Sequence, residues 1–297
     1  MMLSIRGLTH AYPNGVIALN DVNLDIPNGM FGLLGPNGAG KSSLMRTIAT
    51  LQHATRGEIR FGSIDVMRQP TKLRRVLGYL PQDFGVYPRG TAYQQLDHLA
   101  VLKGLTDRQD RKKAVDSLLV QTNLFEHRHQ RLAGFSGGMR QRFGVAQALL
   151  GQPKLIIVDE PTAGLDPEER NRFNNLLAEI GQDVVVILST HLVEDVADLC
   201  PTMAILNKGQ IVLQGQPAEL KRVMTDRVWT RPIQAGELAL YKSRYRILSS
   251  QLSAGSMMVR VEAETQPAPE FQPTAASLED VYFSALHSGT PVSRIAA

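Results

Sequence analysis

The chain has 297 residues, 43% of them hydrophobic and 20% charged, the balance of a globular protein with room for one large domain and a smaller one at roughly 150 residues each. With 32 basic residues against 28 acidic ones the net charge is +4, too mild to mark a nucleic-acid binder by charge alone. A single cysteine, Cys200, excludes an intrachain disulfide and any zinc site with two or more thiolates, and fits a reducing cytoplasm.

The opening stretch, Met1–Gly15, has no apolar core of signal-peptide length, and the longest apolar runs are strand-sized, so the chain is expected not to cross a membrane by itself. Leu3–Ile5, then Val22, Leu24 and Ile26 alternating with Asn23 and Asp25, and later Glu58–Phe61 predict a small antiparallel layer with one wetted face. Met30–Leu34, Leu77–Leu80, Leu155–Val158 and Val184–Leu188 are continuous apolar runs, the pattern of strands buried on both faces. Helical spacing falls between them. Leu44, Ile48 and Leu51 share one face, and Phe173, Leu176, Leu177 and Ile180 form another, opened by Asp166 as N-cap, Pro167 at the first position and Glu169 closing a capping box.

From about Pro88 to Gly134 the alternation stops, and Leu96, Leu99, Leu102, then Ala114, Val115, Leu118 and Leu119 predict two amphipathic helices inserted between strands. Beyond residue 221 the composition shifts. Lys221–Arg246 carries seven basic residues against two acidic ones, Gln266–Pro273 is a Pro-rich connector, and Ser277 with Asp280 opens a last short helix that ends near His287. The expected fold is α/β: a P-loop core with a mainly parallel sheet, an antiparallel β edge and a helical insertion, plus a small α+β C-terminal domain. The expected boundaries are 1–222, with a helical subdomain at about 88–152, and 225–297.

Gly35-Pro36-Asn37-Gly38-Ala39-Gly40-Lys41-Ser42 fits G-x-x-x-x-G-K-[ST], after an apolar strand and before a helix. The glycines let backbone N–H groups wrap a polyphosphate at a helix N-terminus, Lys41 would neutralise its outer phosphates, and Ser42 would ligate Mg²⁺. Ser43 completes this candidate set. The strand Leu155–Val158 runs into Asp159, a candidate Mg²⁺ ligand, and Glu160, placed to polarise a water for attack on the terminal phosphate. Gln82 and His191 each follow a buried strand at its C-terminal end, where open α/β sheets bind ligands. Ser136-Gly137-Gly138 opens another helix with exposed N–H groups. One nucleotide does not need two cradles on one sheet, so the simplest use of the second is a partner's nucleotide.

Taken together these segments resemble the ATP-binding cassette family over about residues 1–220. Gly35–Ser42 is similar to its Walker A motif, Leu155–Asp159 to Walker B, Gln82 to the Q-loop glutamine, Ser136–Gly138 to the signature motif, Ala163–Asp166 to the D-loop and His191 to the switch histidine. Phe135, Met139 and Gly164 depart from the best-known forms of these motifs, though not where phosphate is touched. The resemblance implies that Tyr12 stacks on adenine, that Gln82 joins Ser42 and Asp159 around Mg²⁺, and that Glu160, His191 and Gln82 serve ATP hydrolysis. It also implies a homodimer sharing two ATP molecules, a separate membrane permease and a peripheral place on the cytoplasmic face of the inner membrane. The tail Ser277–Phe283 is similar to that of prokaryotic drug, antibiotic and polysaccharide exporters, and Phe84, Val86 and Tyr87 are candidate permease contacts. The alternative is a soluble cassette ATPase acting on DNA or ribosomes, but the long coiled-coil insertion or second cassette common there does not appear in this sequence.

Overall fold

The alternating N-terminal residues pair as β1 (Leu3–Ala11) and β2 (Ile17–Ile26), an antiparallel hairpin burying Leu3, Ile5, Leu8, Leu19, Val22 and Leu24. The structure is a computed structural model that describes residues 1–82, 84–85, 89–161, 165–181, 184–253 and 256–288. After β3 (Gly29–Leu34) and α1 (Lys41–Ile48), the chain returns to the first layer as β4 (Arg56–Phe61) and β5 (Ile64–Asp65), giving the order β2-β1-β4-β5. The helix α1 stops at Ile48, one turn short of the expected stripe. Thr50 takes a φ of 60°, which no helix continues, and Leu51 is left 60% exposed.

The second sheet holds the continuous apolar runs. Next come α2 (Pro70–Val76), β6 (Leu77–Leu80), α3 (Ala92–Leu102), α4 (Arg108–Gln121), α5 (Gly137–Leu149) and β7 (Leu155–Asp159). They are followed by α6 (Pro167–Ile180), β8 (Val185–Thr190), α7 (Val193–Leu199), β9 (Thr202–Asn207) and β10 (Gln210–Gly215). Strand order is β10-β9-β3-β8-β7-β6, parallel except for β10. Every residue of β7 and β8 is buried, as strands covered on both faces require. The helical insertion makes its own apolar cluster from Leu96, Val115, Leu119, Leu124, Phe135 and Phe143. Leu102, expected on its inner face, is instead 70% exposed at the end of α3.

The Asp166 carboxylate caps α6 by accepting from Glu169 N–H at 2.8 Å. The expected reciprocal half of that box is absent, because the Glu169 side chain is drawn away to Arg142.

Past α8 (Pro217–Val223), the chain builds β11 (Val228–Ile233), α9 (Leu238–Arg244), β12 (Arg246–Ser253), β13 (Ser256–Glu262), β14 (Gln272–Pro273) and α10 (Leu278–Ser288), with sheet order β12-β13-β11-β14. The Pro-rich connector is no loose tether: it pairs with β11 as β14 and buries Phe271 completely. Within the basic stretch Arg227 and Arg246 both reach Glu262 and Arg231 reaches Glu270, while Lys221, Arg222, Lys242 and Arg244 are exposed. Helix α10 turns back onto α7, α8, β9 and β10, and Leu278, Val281 and Tyr282 join the core cluster that contains Val196, Met203 and Ile205. Burial pushes the Cys200 thiol in that cluster up to about 12, which leaves it inert at neutral pH.

The first turn of α10 carries the expected capping box, with Ser277 N–H and Oγ–H donating to Asp280 and Asp280 N–H donating to Ser277 Oγ. Arg260 adds Nε to Oδ1 at 2.8 Å and Nη2 to Oδ2 at 2.6 Å. Burial alone would raise the Asp280 pKa, but these donors outweigh it and hold the carboxyl below its ordinary value. A depressed folded pKa gives stability that is present above the unfolded value near 4 and is lost as pH falls through the folded value. Asp280→Asn should therefore be less stable at pH 7, by roughly 1.5–3 kcal/mol for lost hydrogen bonds to a charged group, with the gap to wild type narrowing below about pH 4. Denaturant melts across that range check this, and a pH-independent gap would contradict it.

Candidate functional site

The site lies along the C-terminal edge of the second sheet. Register sets it: Leu34 at the end of β3 pairs with Thr190 of β8, and Asp159 at the end of β7 pairs with Ser189, so the phosphate loop, the β8 tail and the acidic pair share one edge. The loop follows β3 and α1 begins at Lys41. Gly40 has a φ of 107°, and a Cβ there would stand 2.4 Å from Ala18 O, so only glycine fits. Lys41 is 5% exposed, and its Nζ donates to Gly35 O at 2.7 Å, folding the charge back over the loop. Tyr12 lies beside the same loop, its hydroxyl 2.9 Å from Ser43 Oγ and its ring edge-on to His10 at 4.7 Å between centroids.

Glu160 stands between two groups from different elements. Oε1 is 3.5 Å from Lys41 Nζ, and Oε2 is 3.3 Å from His191 Nδ1. Its backbone takes a φ of 49°, while its N–H donates to Ser189 O. A non-glycine residue in that region costs about 1–3 kcal/mol and persists where surroundings impose it, commonly at functional positions. Asp159 is 3% exposed. Burial pushes its pKa up, opposed by the Ser189 and Ser42 hydroxyls and by Lys41. Among the described residues its Oδ1 is buried with no hydrogen-bond partner. An orphaned carboxylate oxygen beside the Ser42 hydroxyl is a hard oxygen donor set, and it fits a small divalent cation such as Mg²⁺.

Gln82 is exposed two residues beyond the end of β6. Among the described residues no hydrogen bond ties it to Ser42 or Asp159. Ser136 caps α5 by accepting from Met139 N–H at 3.2 Å, and Ser136 and Gly137 are exposed. That helix packs on β6, the sheet edge, three strands and roughly 14 Å from β3. Within one chain no described hydrogen bond or ion pair joins Ser136–Gly138 to the phosphate loop. Asp166 and Leu165 are described, whereas Ala163, Gly164, Val86, Tyr87 and Pro88 lie outside the described residues. Phe84 turns inward and packs against both the main core and the helical cluster, so it serves packing.

Two features escaped the sequence. Leu51, Tyr79, Leu99 and Leu102, with Arg74 and Lys103, line a groove of about 390 Å³ between the core and the helical insertion. Burial lowers the Lys103 pKa, and its Nζ donates to Leu77 O at 2.6 Å. Leu51 and Leu102 read as members of apolar stripes, and only their position past the last packed turn would have marked them as surface. The second is the Arg142–Glu169 pair between α5 and α6, hidden because Glu169 also suits a capping box.

The family model described as ABC transporter matches residues 19–163. The uncharacterized ABC transporter ATP-binding protein YxlF of Bacillus subtilis is 32% identical, over 97% of this chain and 100% of its own length. The linearmycin resistance ATP-binding protein LnrL of the same organism is 32% identical over 74% of this chain and 70% of its own. A methionine import ATP-binding protein of Acinetobacter baylyi, MetN 1, is 28% identical over 97% of this chain and 84% of its own. Among solved structures, the ATP-binding cassette MJ0796, a dimer in a post-hydrolysis state with ADP and Pi, superposes with a TM-score of 0.66 at 26% identity, covering 72% of this chain and 98% of that one.

Proposed function

The chain belongs to the ABC transporter family as one of its ATP-binding and ATP-hydrolysing subunits, and from that premise we propose that it drives export through a separate polytopic permease. The observation that carries the catalytic part is Glu160, held between the phosphate-loop lysine and His191 at the edge where a triphosphate would lie. ATP is taken by the N–H groups of Gly35 and Asn37–Ser43, with Lys41 exchanging Gly35 O for a phosphate oxygen and Tyr12 against adenine. Mg²⁺, when bound, neutralises charge on the outer phosphates. Ser42 and Asp159 would hold it, with Gln82 completing the set.

In hydrolysis Glu160 accepts the proton of the attacking water as its oxygen bonds to the γ-phosphorus and the bond to the β–γ bridging oxygen breaks. His191, against the same carboxylate, orients it and contacts the γ-phosphate. Ser136–Gly138, turned away from the chain's own loop, serve the nucleotide of a second copy in a head-to-tail homodimer. That MJ0796 is a dimer with ADP and Pi supports the pairing of two copies. ATP then favours the closed pair by contacting both copies, and hydrolysis releases it.

The cassette comprises residues 1–222, with its helical part at about 88–152, and 225–297 form an accessory unit that α10 fastens to it. The groove beside Leu51 and Leu102 receives a short apolar helix of the permease, since the exposed leucines at its rim have no cover among the described residues. No helix among the described residues is long and apolar enough to cross a membrane. In this reading the permease holds the chain peripherally at the cytoplasmic face of the inner membrane. Direction rests on the tail Ser277–Phe283, similar to exporter tails. Tagged protein taken from detergent-solubilised native membranes should bring down a polytopic chain. Recovery wholly in the soluble fraction would contradict the partnership, and ATP-dependent uptake by cells carrying the pair would reverse the direction.

A further inference from the structure

Helices α5 and α6 meet through an ion pair between the second turn of α5 and the first turn of α6. Arg142 Nη1 straddles both Glu169 oxygens, at 2.9 and 2.6 Å, with side chains only 14% and 23% exposed. A Cβ on Gly138 would stand 2.8 Å from the Glu169 carboxyl carbon and Oε2, so the carboxylate rests directly against the second glycine of the Ser136–Gly138 lip. Glu169 is in turn fixed through its N–H to Asp166, at the head of the helix that follows the Asp159–Glu160 segment. The pair thus joins the part of the chain that carries its own catalytic carboxylate to the lip it presents outward.

The contact also has an unused option. Among the described residues Arg142 Nε is buried and unpartnered while Nη1 alone serves both oxygens. The favoured guanidinium–carboxylate geometry is a fork of two parallel bonds. A small slide of α6 along α5 would exchange the present end-on contact for a fork through Nε, relieving a buried unsatisfied donor. With that second arrangement available, the ion pair would form a two-state element of the kind coupling requires.

From this geometry we infer that Arg142 and Glu169 are positioning residues that couple a chain's own ATP site to the lip it lends its partner's ATP. The inference rests on the shared-site reading above. It makes the two sites of a homodimer interdependent: rearrangement after one Glu160 shifts the lip over the other nucleotide.

The test measures ATP-driven dimerisation by light scattering in an E160Q background, and the Hill coefficient of ATP hydrolysis with Glu160 intact. E160Q/R142K and E160Q/E169Q should need roughly tenfold more ATP to dimerise, the size of coupling seen for residues in direct contact. In the hydrolysing enzyme R142K and E169Q should bring the Hill coefficient towards 1, while affinity of the monomer for a fluorescent ATP analogue stays within twofold of wild type. The charge-reversed double variant R142E/E169R should recover part of both losses, which a merely structural defect would not. Unchanged dimerisation and cooperativity in the single variants overturn the inference alone, and so do losses matched by lost analogue binding in the monomer. If E160Q itself forms no dimer at saturating Mg-ATP, the shared-site reading falls and takes the inference with it.

Discussion

Lys41→Ala is expected to weaken ATP binding and to lower ATP turnover by at least roughly two to three orders of magnitude, the loss in rate typical of removing one preorganised donor from developing charge. The lysine is 5% exposed and already folded over the loop, with its charge 2.7 Å from Gly35 O and 3.5 Å from Glu160. A buried cation so placed needs little rearrangement to meet a triphosphate, and strengthens its contact as negative charge gathers on the transferring group. Its removal also leaves Glu160 without its positive neighbour on that side, so the catalytic carboxylate loses position along with the substrate. Equilibrium binding of a fluorescent ATP analogue and steady-state phosphate release measure the two effects separately. Near-normal hydrolysis would remove the phosphate-loop assignment.

Glu160→Gln separates binding from chemistry. The amide keeps the shape of the side chain but cannot accept a proton as a carboxylate does, and loss of a general base costs roughly 10²–10⁴-fold. Binding should survive, because the loop and Lys41 are untouched and one charge opposing phosphate is gone. ATP should then hold two copies together, and light scattering should show a dimer in Mg-ATP that is absent without nucleotide. A variant that remains monomeric at saturating Mg-ATP argues against a site shared between chains. Turnover within threefold of wild type would assign the proton transfer elsewhere.

Much of this was legible in the sequence for a physical reason. Buried parallel strands must be apolar throughout, so β3, β6, β7 and β8 announce themselves, and the ligands of an α/β edge follow directly on them. Glycine spacing around Lys41 answers a steric demand that few other sequences meet. The errors cluster where one residue type suits two uses. Leu51 fits a helical stripe by spacing but comes after Thr50, whose left-handed backbone ends the helix. Glu169 fits a capping box by position but is taken by Arg142, an ion partner 27 residues away that no local pattern reveals. Pro-rich Gln266–Pro273 reads as linker because proline disfavours strands, yet an edge position tolerates it, and Phe271 anchors it. The basic run was legible as a count, but the meeting of its Arg227 and Arg246 at Glu262 depends on the fold.

The return of α10 onto α7, α8, β9 and β10 has a consequence for biosynthesis. Leu278, Val281 and Tyr282 cover apolar surface on elements made long before them. Some 54 residues separate the end of α8 at Val223 from Leu278, which at about 5–20 residues per second leaves that surface bare for roughly three to eleven seconds on the ribosome. A nascent cassette is thus exposed to premature self-association until its closing helix emerges. Truncations or frameshifts that remove only this segment would leave the nucleotide-binding machinery intact on paper while consigning the polypeptide to chaperones and proteases.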